Sequence, residues 1–379
     1  ANVLQDTSSK PGLAAAALVY HTAATKMTLS ESPKTSSPPQ TPRGGRSLLD
    51  LPGLEETVRL ADLAFVKEEE GVLGRIVEIK GKSYRVKKLL AETIFGAVWH
   101  AETVGDEEGV DVALKVSDVS TKACLEDPES EAAIMKRLGC YDKSCHRNLI
   151  RCHAWEREAD GSVCAAVLTF ASEGDLFGFV NPGEGLNWPL EEKVRRDIAA
   201  ASVIRQILEG VSNMHKRNIA HLDLSLENVL VCREKDKSST SSLVPKICDF
   251  GMSRDLSVSS SRYMDGSPGK LTYMAPEVSL GKFDAKLADS YTVGIMTFIL
   301  LTGHPPYERP KPQDVRFKLI FRQGEKGLRT LLRHYRKIGG WSESAIKFVS
   351  KLLCPENSRM SVEEALCSNF IQQSIKVQD

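Results

Sequence analysis

Hydrophobic and polar positions follow two different patterns along the chain, and the change comes near residue 171. From Gly71 onward, short runs such as SYRVKKLL, GAVWHAE, DVALKV and VCAAVLTF predict β-strands, and a single helical stretch, 127–138, lies among them. After residue 171 the period is helical, most clearly over 194–216 and 290–301. The pattern therefore predicts an α+β chain of two lobes, one β-rich and one helical, with a ligand cleft between them.

The residues before this pattern differ from it in composition. Residues 1–46 are rich in Ala, Ser, Thr and Pro and hold few large apolar side chains, so we expect them to be disordered. Residues 47–70 carry apolar side chains at nearly helical spacing, which predicts a helical extension that docks on the next lobe. We expect the first lobe to span 71–170 and the second 171–379.

The charge balance restricts the classes of partner. The chain has 50 Lys+Arg against 50 Asp+Glu, so its formal net charge is zero, which argues against a protein that coats nucleic acid or an anionic membrane. No apolar run approaches the roughly 18 residues that cross a bilayer. The Ala-rich run over residues 12–20 leaves a secretory signal open, but its hydrophobicity is weak for that role.

The nine cysteines are odd in number and form no C-x-x-C pair. They indicate a reducing compartment, the cytoplasm or alternatively the nucleus, without a disulfide framework. The one tight group contains Cys140, Cys145 and Cys152 with His146 and His153. Its spacing fits no usual zinc pattern, so we interpret these cysteines as ordinary buried thiols.

Four short motifs carry the chemistry, and they follow one another in a fixed order. They are Val112-Ala-Leu-Lys115 on a predicted strand, His221-Leu-Asp-Leu-Ser-Leu-Glu-Asn228, Asp249-Phe-Gly251 and Ala275-Pro-Glu277. Together, at these spacings, they resemble the protein kinase family over roughly residues 83 to 372. The resemblance implies a bilobed kinase fold, in which a small antiparallel β-sheet lobe with one main helix lies over a larger, mostly helical lobe, with ATP in the cleft.

The resemblance also implies a role for each chemically active side chain. A transferring phosphoryl group is densely negative, so the site needs cations and a positioned hydroxyl. Lys115 would bind the α- and β-phosphates with Glu131 as its anionic partner, and Asp223 would be the catalytic carboxylate. Asn228 and Asp249 offer the oxygen ligands that Mg²⁺ prefers.

Other side chains are expected to surround the nucleotide. In the phosphate-covering loop, Ala91 and Thr93 stand where the family has glycine, which would weaken the approach of backbone N–H groups to phosphate. Leu168 would be the gatekeeper, and Asp175 would meet the ribose or a substrate arginine, or alternatively cap a helix. The expected pocket residues are Leu90, Ala91, Phe95, Gly96, Val98, Ala113, Leu168, Thr169, Ala171 and Asp175.

Two departures from the family concern regulation and catalysis. Leu222 replaces the arginine that clamps a phosphate on the activation segment, residues 249–277, which predicts that activity does not require phosphorylation there. Ser225 replaces the catalytic-loop lysine, while Lys270 replaces the hydroxyl residue that faces it. We infer that the exchange is reciprocal and that Lys270 performs the missing lysine's role. The alternative is that Lys270 is a solvated loop lysine and the site is crippled.

The sequence thus predicts a monomeric, Mg·ATP-dependent protein kinase acting on Ser/Thr hydroxyls of protein substrates. The resemblance implies the Ser/Thr preference, because Glu227 beside Asn228 differs from the Ala/Arg-rich loop of tyrosine kinases. The alternative is a pseudokinase scaffold, which the lost glycines and lysine favour and the intact motif residues oppose. A small-molecule or lipid kinase is disfavoured, because Glu277 and Arg359 match an ion pair that shapes a peptide-binding lobe. Asp289 matches an aspartate that braces the catalytic loop.

Overall fold

The structure, a computed structural model, describes most of the chain from residue 57 onward. The described residues are 57–64, 71–93, 95–105, 109–120, 127–182, 185–187, 196–235, 241–257, 263–264, 269–335 and 341–374. The predicted disorder of 1–46 and most of the predicted helical extension lie outside them. Within the described part the chain is α+β and has two lobes, as the sequence predicts.

The first lobe is one antiparallel sheet with two helices. Its elements are α1 (Leu60–Ala64), β1 (Ile76–Ile79), β2 (Lys82–Thr93), β3 (Gly96–Thr103), β4 (Asp111–Asp118), α2 (Pro128–Arg137), β5 (Cys152–Arg157) and β6 (Val163–Thr169). The strand order is β1-β2-β3-β4-β6-β5. Helix α2 begins at Pro128 because the Asp127 side chain accepts a hydrogen bond from the Glu129 amide, 3.1 Å away.

The two faces of this sheet have different partners. Because side chains alternate along a strand, Trp99 of β3 and Leu114 of β4 lie on the outer face, where α1 packs in the same apolar cluster. The indole N–H of Trp99 donates to the carbonyl of Leu63 on α1, 2.9 Å away. The opposite face carries Val98, Ala113 and Lys115 into the cleft. The described part of the extension is therefore a cover for the outer face of the sheet.

The second lobe is built around a buried helix, α4. Its helices are α3 (Arg196–Lys216), α4 (Ala285–Thr302), α5 (Val315–His334), α6 (Glu343–Leu352), α7 (Val362–Leu366) and α8 (Asn369–Gln372). Its strands form short antiparallel pairs, β7 (Val180–Asn181) with β8 (Gly185–Leu186), β9 (Ile219–Ala220) with β12 (Arg254–Asp255), β10 (Val229–Lys235) with β11 (Ser241–Ile247), and β13 (Tyr263–Met264) with β14 (Phe283–Asp284). Among the described helices, none is both long and apolar enough to span a membrane.

The helical pattern in the sequence did not predict the hairpin of β10 and β11. The two strands pair over seven residues each, and the segment 229–232 is buried. A short apolar run of this kind has no period of its own that distinguishes a strand from a helix, so its pairing partner decides. This hairpin follows the catalytic loop directly and fixes where that loop ends.

Candidate active site

The two lobes are joined across the cleft through Lys115. Its Nζ lies 2.8 Å from Glu131 Oε2 on α2 and 3.4 Å from Asp249 Oδ1 in the second lobe. The other oxygen of Glu131, Oε1, accepts the Phe250 amide at 3.2 Å. Glu131 therefore holds both the lysine of β4 and the backbone of the Asp-Phe-Gly motif.

The catalytic loop lies between β9 and β10, and Asp289 of α4 holds its backbone. The Asp289 carboxylate accepts the His221 and Leu222 amides, each at 2.9 Å, and the His215 Nε2 lies 2.8 Å from it. Leu222 has φ = 65°, a left-handed conformation that costs a leucine energy. A Cβ on Gly269 would lie 2.6 Å from the Leu222 carbonyl oxygen, so only glycine fits against this loop.

Asp223 and Asn228 form a connected pair inside the loop. The Asn228 Nδ2 donates to Asp223 Oδ2 at 2.9 Å and to the Asp223 carbonyl at 2.7 Å. The Asn228 Oδ1 is buried and accepts no hydrogen bond from any residue that the structure describes. Leaving such an oxygen unpaired costs about 1–3 kcal/mol, so a bound cation or hydrogen-bond donor would stabilise it. This donor set, with Asp249 nearby, fits a hard cation such as Mg²⁺.

Burial and neighbouring charges set the protonation of the two aspartates. Burial raises the pKa of Asp223 to about 7; Lys270 acts against this rise and Asp249 adds to it. Burial acts on Asp249 in the same direction, but the Lys115 cation and its hydrogen bond outweigh it and lower the pKa of Asp249. The site thus holds one anionic carboxylate beside Lys115 and one carboxylate poised to exchange a proton near neutral pH.

Lys270 and Ser225 lie against each other beside Asp223. The Lys270 Nζ donates to Ser225 Oγ at 2.8 Å and lies 3.7 Å from Glu227 Oε2. The Lys270 amide donates to Asp223 Oδ1 at 3.2 Å. The Lys270 ammonium group therefore lies against the catalytic loop at Ser225, while the Lys270 backbone contacts Asp223.

Most of the expected nucleotide pocket lies on the cleft side of the sheet. Val98, Ala113 and Leu168 are buried on adjacent strands, with Val98 opposite Lys115 and Ala113 opposite Leu168. Only glycine fits at position 96, because a Cβ there would lie 2.0 Å from the Val116 carbonyl oxygen. The remaining loop residues lie on the β2–β3 hairpin, with Leu90 and Phe95 half-buried and Ala91 buried.

The segment after β6 places the other expected contacts. Thr169 ends β6, and its hydroxyl lies 3.2 Å from His153 Nε2, while Ala171 begins the turn that follows. Asp175 is 3% exposed, and its Oδ1 caps a 3₁₀-helix by accepting the Gly178 amide at 2.8 Å. Burial raises the pKa of Asp175 to about 6. The cap contact is present in the structure, whereas contact to a ribose or a substrate arginine stays a prediction.

The sequence analysis did not predict one residue that supports the site. Arg137, the last residue of α2, forms an ion pair with Asp255 and donates to Ser257 Oγ at 3.0 Å and to the Arg217 carbonyl at 3.1 Å. It ties the helix that carries Glu131 to the activation segment. No motif contains it, and its partner Ser257 lies 120 residues away, so local sequence gave no signal.

Arg359 and Glu277, which the sequence predicts to form an ion pair, do so in the structure. The Arg359 side chain is buried and forms an ion pair with Glu277, with Nη2 3.0 Å from Oε2. The Arg359 Nη1 also donates to the Leu287 carbonyl at 3.0 Å. These contacts connect the Ala-Pro-Glu motif to the lobe's core.

Comparison with known proteins agrees with this geometry. A family model for the protein kinase domain matches residues 84–371. The serine/threonine-protein kinase PLK4 of Drosophila grimshawi is 26% identical over 291 residues, which are 76% of this chain and 34% of that protein. The calcium-dependent protein kinase 4 of Plasmodium falciparum is 29% identical over 295 residues, 77% of this chain and 50% of that protein. The chain spans a third to a half of these curated relatives.

Proposed function

The chain belongs to the protein kinase domain family, and we propose that it is an active enzyme that transfers the γ-phosphoryl group of ATP to Ser or Thr hydroxyls of proteins. The observation that carries this proposal is the link from Glu131 through Lys115 to Asp249, closed across the cleft beside Asp223. A phosphoryl donor in the cleft would meet a fixed cation at Lys115. A hydroxyl acceptor would meet the carboxylate of Asp223.

Each side chain has a defined task in this reaction. Lys115 would bind the phosphates of ATP, and Glu131 keeps its ammonium group pointed into the cleft. Asp223 would orient the acceptor hydroxyl and take its proton. Asn228 and Asp249 would hold Mg²⁺, which when bound neutralises charge on the phosphate oxygens. The hydrogen bonds from Asn228 and the Lys270 amide keep the Asp223 carboxylate in one orientation.

We propose that Lys270 supplies the positive charge that the catalytic loop itself lacks. Its contact with Ser225 holds the ammonium beside Asp223, where negative charge develops during transfer. Its backbone amide also contacts the Asp223 carboxylate, so Lys270 both orients the base and places a cation near it. This arrangement supports a reciprocal exchange over a crippled site.

We further propose that activity does not depend on phosphorylation of the activation segment. The Leu222 side chain is buried and offers no cation to a phosphate. Arg137 already joins α2 to Asp255 and to the unmodified hydroxyl of Ser257. Arg137 therefore connects helix α2, which carries Glu131, to the activation segment without a phosphate.

A pseudokinase scaffold is the second candidate, and the phosphate-covering hairpin favours it. Ala91 and Thr93 lie within strand β2, where glycines would let the backbone approach phosphate more closely. Such a protein would bind nucleotide or partners without efficient turnover. We also propose that the chain acts as a monomer in the cytoplasm or nucleus, in keeping with its zero net charge and with the free cysteines of the part that the structure describes.

Incubation of the purified chain with MgATP and a generic basic protein tests the proposal. We expect incorporation of phosphate into serine or threonine, and Asp223→Asn lowers the rate by about 10³-fold because the base is lost. Phosphoamino-acid analysis separates Ser/Thr from Tyr. If neither protein incorporated phosphate while ATP still raised the melting temperature, the scaffold would be supported instead.

A further inference from the structure

A groove in the second lobe takes no part in the proposed phosphoryl transfer. It lies between the 3₁₀-helix Pro276–Leu280 and the first half of α5, and its volume is about 590 Å³. Its floor is aromatic, because the buried Phe317 stacks on the half-buried Phe321 with ring centroids 4.9 Å apart. This cavity, which we call the α5 groove, is large enough to hold several side chains of a ligand.

Apolar side chains are exposed at the edge of the α5 groove. Leu280, which lines it, is 84% exposed, and Val315, the first residue of α5, is 78% exposed. Val315 shares one face of α5 with Lys318 and Arg322, because the three positions follow one another at helical spacing. The non-helical backbone of Gly324 comes after all three and does not interrupt that face. Exposed apolar side chains beside an aromatic floor are typical of an interaction surface.

The charge that the α5 groove offers to a partner is positive. Lys318 and Arg322 line the groove and are exposed, and their side chains pair with no residue of the part that the structure describes. Arg316 of the same helix, by contrast, pairs with an acidic side chain of this chain. The two acidic side chains of the groove already have partners: Glu277 is in the buried ion pair described above, and Glu356 accepts the backbone amide that precedes α4.

We propose that the α5 groove docks an acidic segment of a protein substrate, in which large apolar side chains lie among Asp and Glu residues. The apolar side chains would pack on Leu280 and on the aromatic floor, where they leave water. The carboxylates would pair with Lys318 and Arg322, which are four residues apart and lie on one face of the helix. Charge complementarity selects this occupant, because a basic segment would be repelled and an uncharged one would leave both cations unpaired.

The substrate role of this segment rests on the proposed kinase activity, and the chain places the α5 groove near the catalytic loop. Pro276 is six residues from Lys270, so the edge of the groove is at most about 22 Å from Lys270. A flexible linker of about 10–15 residues has a root-mean-square span of about 16–23 Å. A docked substrate would therefore hold a tethered acceptor hydroxyl near Asp223 at high effective concentration, which lowers KM and leaves kcat unchanged.

Fluorescence polarisation of the full chain with labelled peptides tests the docking step, which requires no turnover. The probe EEDLFDEE carries both acidic and apolar side chains, EEDSSDEE lacks the apolar ones, and KKSLFSKK reverses the charge. We expect EEDLFDEE to bind about tenfold more tightly than either of the other two peptides, and its affinity to fall as the salt concentration rises. Equal binding of the three peptides would overturn the docking proposal, whatever the kinase activity of the chain.

Variants at the α5 groove place the peptide there. Lys318→Glu/Arg322→Glu should weaken binding of EEDLFDEE by about tenfold or more, and Leu280→Ser by about fivefold. These side chains are exposed, so the melting temperature should stay that of the unmodified chain. Lys326→Glu is the matched control, because Lys326 is exposed on the same helix beyond Gly324 and does not line the groove. Binding that the double variant leaves unchanged, or self-association of the chain that Leu280→Ser abolishes, would overturn the proposal.

Phosphorylation of a serine peptide with and without the tail EEDLFDEE, joined by a 12-residue Gly/Ser linker, tests the substrate role. The tail should lower KM by about tenfold at unchanged kcat. In Lys318→Glu/Arg322→Glu the two peptides should have the same KM, whereas Lys326→Glu should keep the difference. Binding of the probe without this gain in KM would overturn the substrate role. Binding of the probe by a chain that phosphorylates neither peptide would contradict the proposed kinase activity and leave the docking site in place.

Discussion

Two polar clusters, one behind the catalytic loop and one within it, are built in opposite ways. Asp289, behind the loop, is 1% exposed, and its carboxylate contacts two backbone amides and His215. Asp223, within the loop, has a raised pKa, and the neighbouring Asn228 Oδ1 has no partner among the described residues. The comparison teaches that the polar groups of the supporting cluster are paired, whereas the cluster that we propose to meet substrate keeps an unpaired buried oxygen.

The largest expected effect on stability comes from breaking the supporting cluster. Asp289→Ala leaves the His221 and Leu222 amides buried without an acceptor, and should lower the free energy of unfolding by about 3 kcal/mol. Chemical denaturation measures this change. Asp289→Asn, which keeps one acceptor oxygen, should cost less.

The same measurement on Asp223→Asn sharpens the comparison. Because burial opposes the charge of Asp223, this variant should leave the fold at least as stable at pH 8, while it lowers turnover by about 10³-fold if Asp223 is the proposed base. A loss of stability as large as that of Asp289→Ala would contradict the division between the two clusters.

The next effect in size is expected from changing Ser225 and Lys270, the paired side chains beside Asp223. Lys270→Thr removes the cation beside Asp223 and should lower the phosphorylation rate by about 10- to 100-fold. The double variant Ser225→Lys/Lys270→Thr should recover much of that rate, because it returns the cation from the other side of the contact. Lys311→Thr, at an exposed lysine, is the control. Absence of recovery in the double variant would show that Lys270 does not replace the loop lysine.

A smaller effect is expected at Asp175, where burial opposes ionisation. The folded-state pKa of about 6 lies above the ordinary value of 3.8, so this carboxyl makes the fold less stable as pH rises from about 4 to 6. Asp175→Asn keeps an N-cap acceptor and removes the charge. It should stabilise the fold by about 1 kcal/mol at pH 8 and by almost nothing at pH 4. Thermal unfolding at both pH values checks the sign, and a gain that is equal at both would refute this origin.

The smallest effect is expected in the activation segment. Alanine at Ser257, Ser259, Ser260, Ser261 and Ser267 should change the rate by less than about threefold, because Arg137 still pairs with Asp255. Arg137→Ala is the matched variant and should reduce the rate more. Loss of turnover in the folded serine-free protein would mean that phosphorylation is required.

The amino-acid sequence by itself determined the features that depend on neighbouring residues. The period of two in DVALKV places Ala113 and Lys115 on one face of β4, and α2 (Pro128–Arg137) lies within the helical stretch that the sequence predicts over 127–138. The order of the four motifs gave the family and the two lobes. These features follow from local backbone geometry and from spacing, which a sequence displays directly.

The tertiary structure alone decided which distant residues meet. Ser225 and Lys270 are 45 residues apart, and their resemblance to a family pair suggested a meeting that only the packed loop shows as a 2.8 Å contact. Arg137 and Ser257, 120 residues apart, had no signal at all. Such contacts depend on how helices and loops pack against one shared core, and no local periodicity encodes that arrangement.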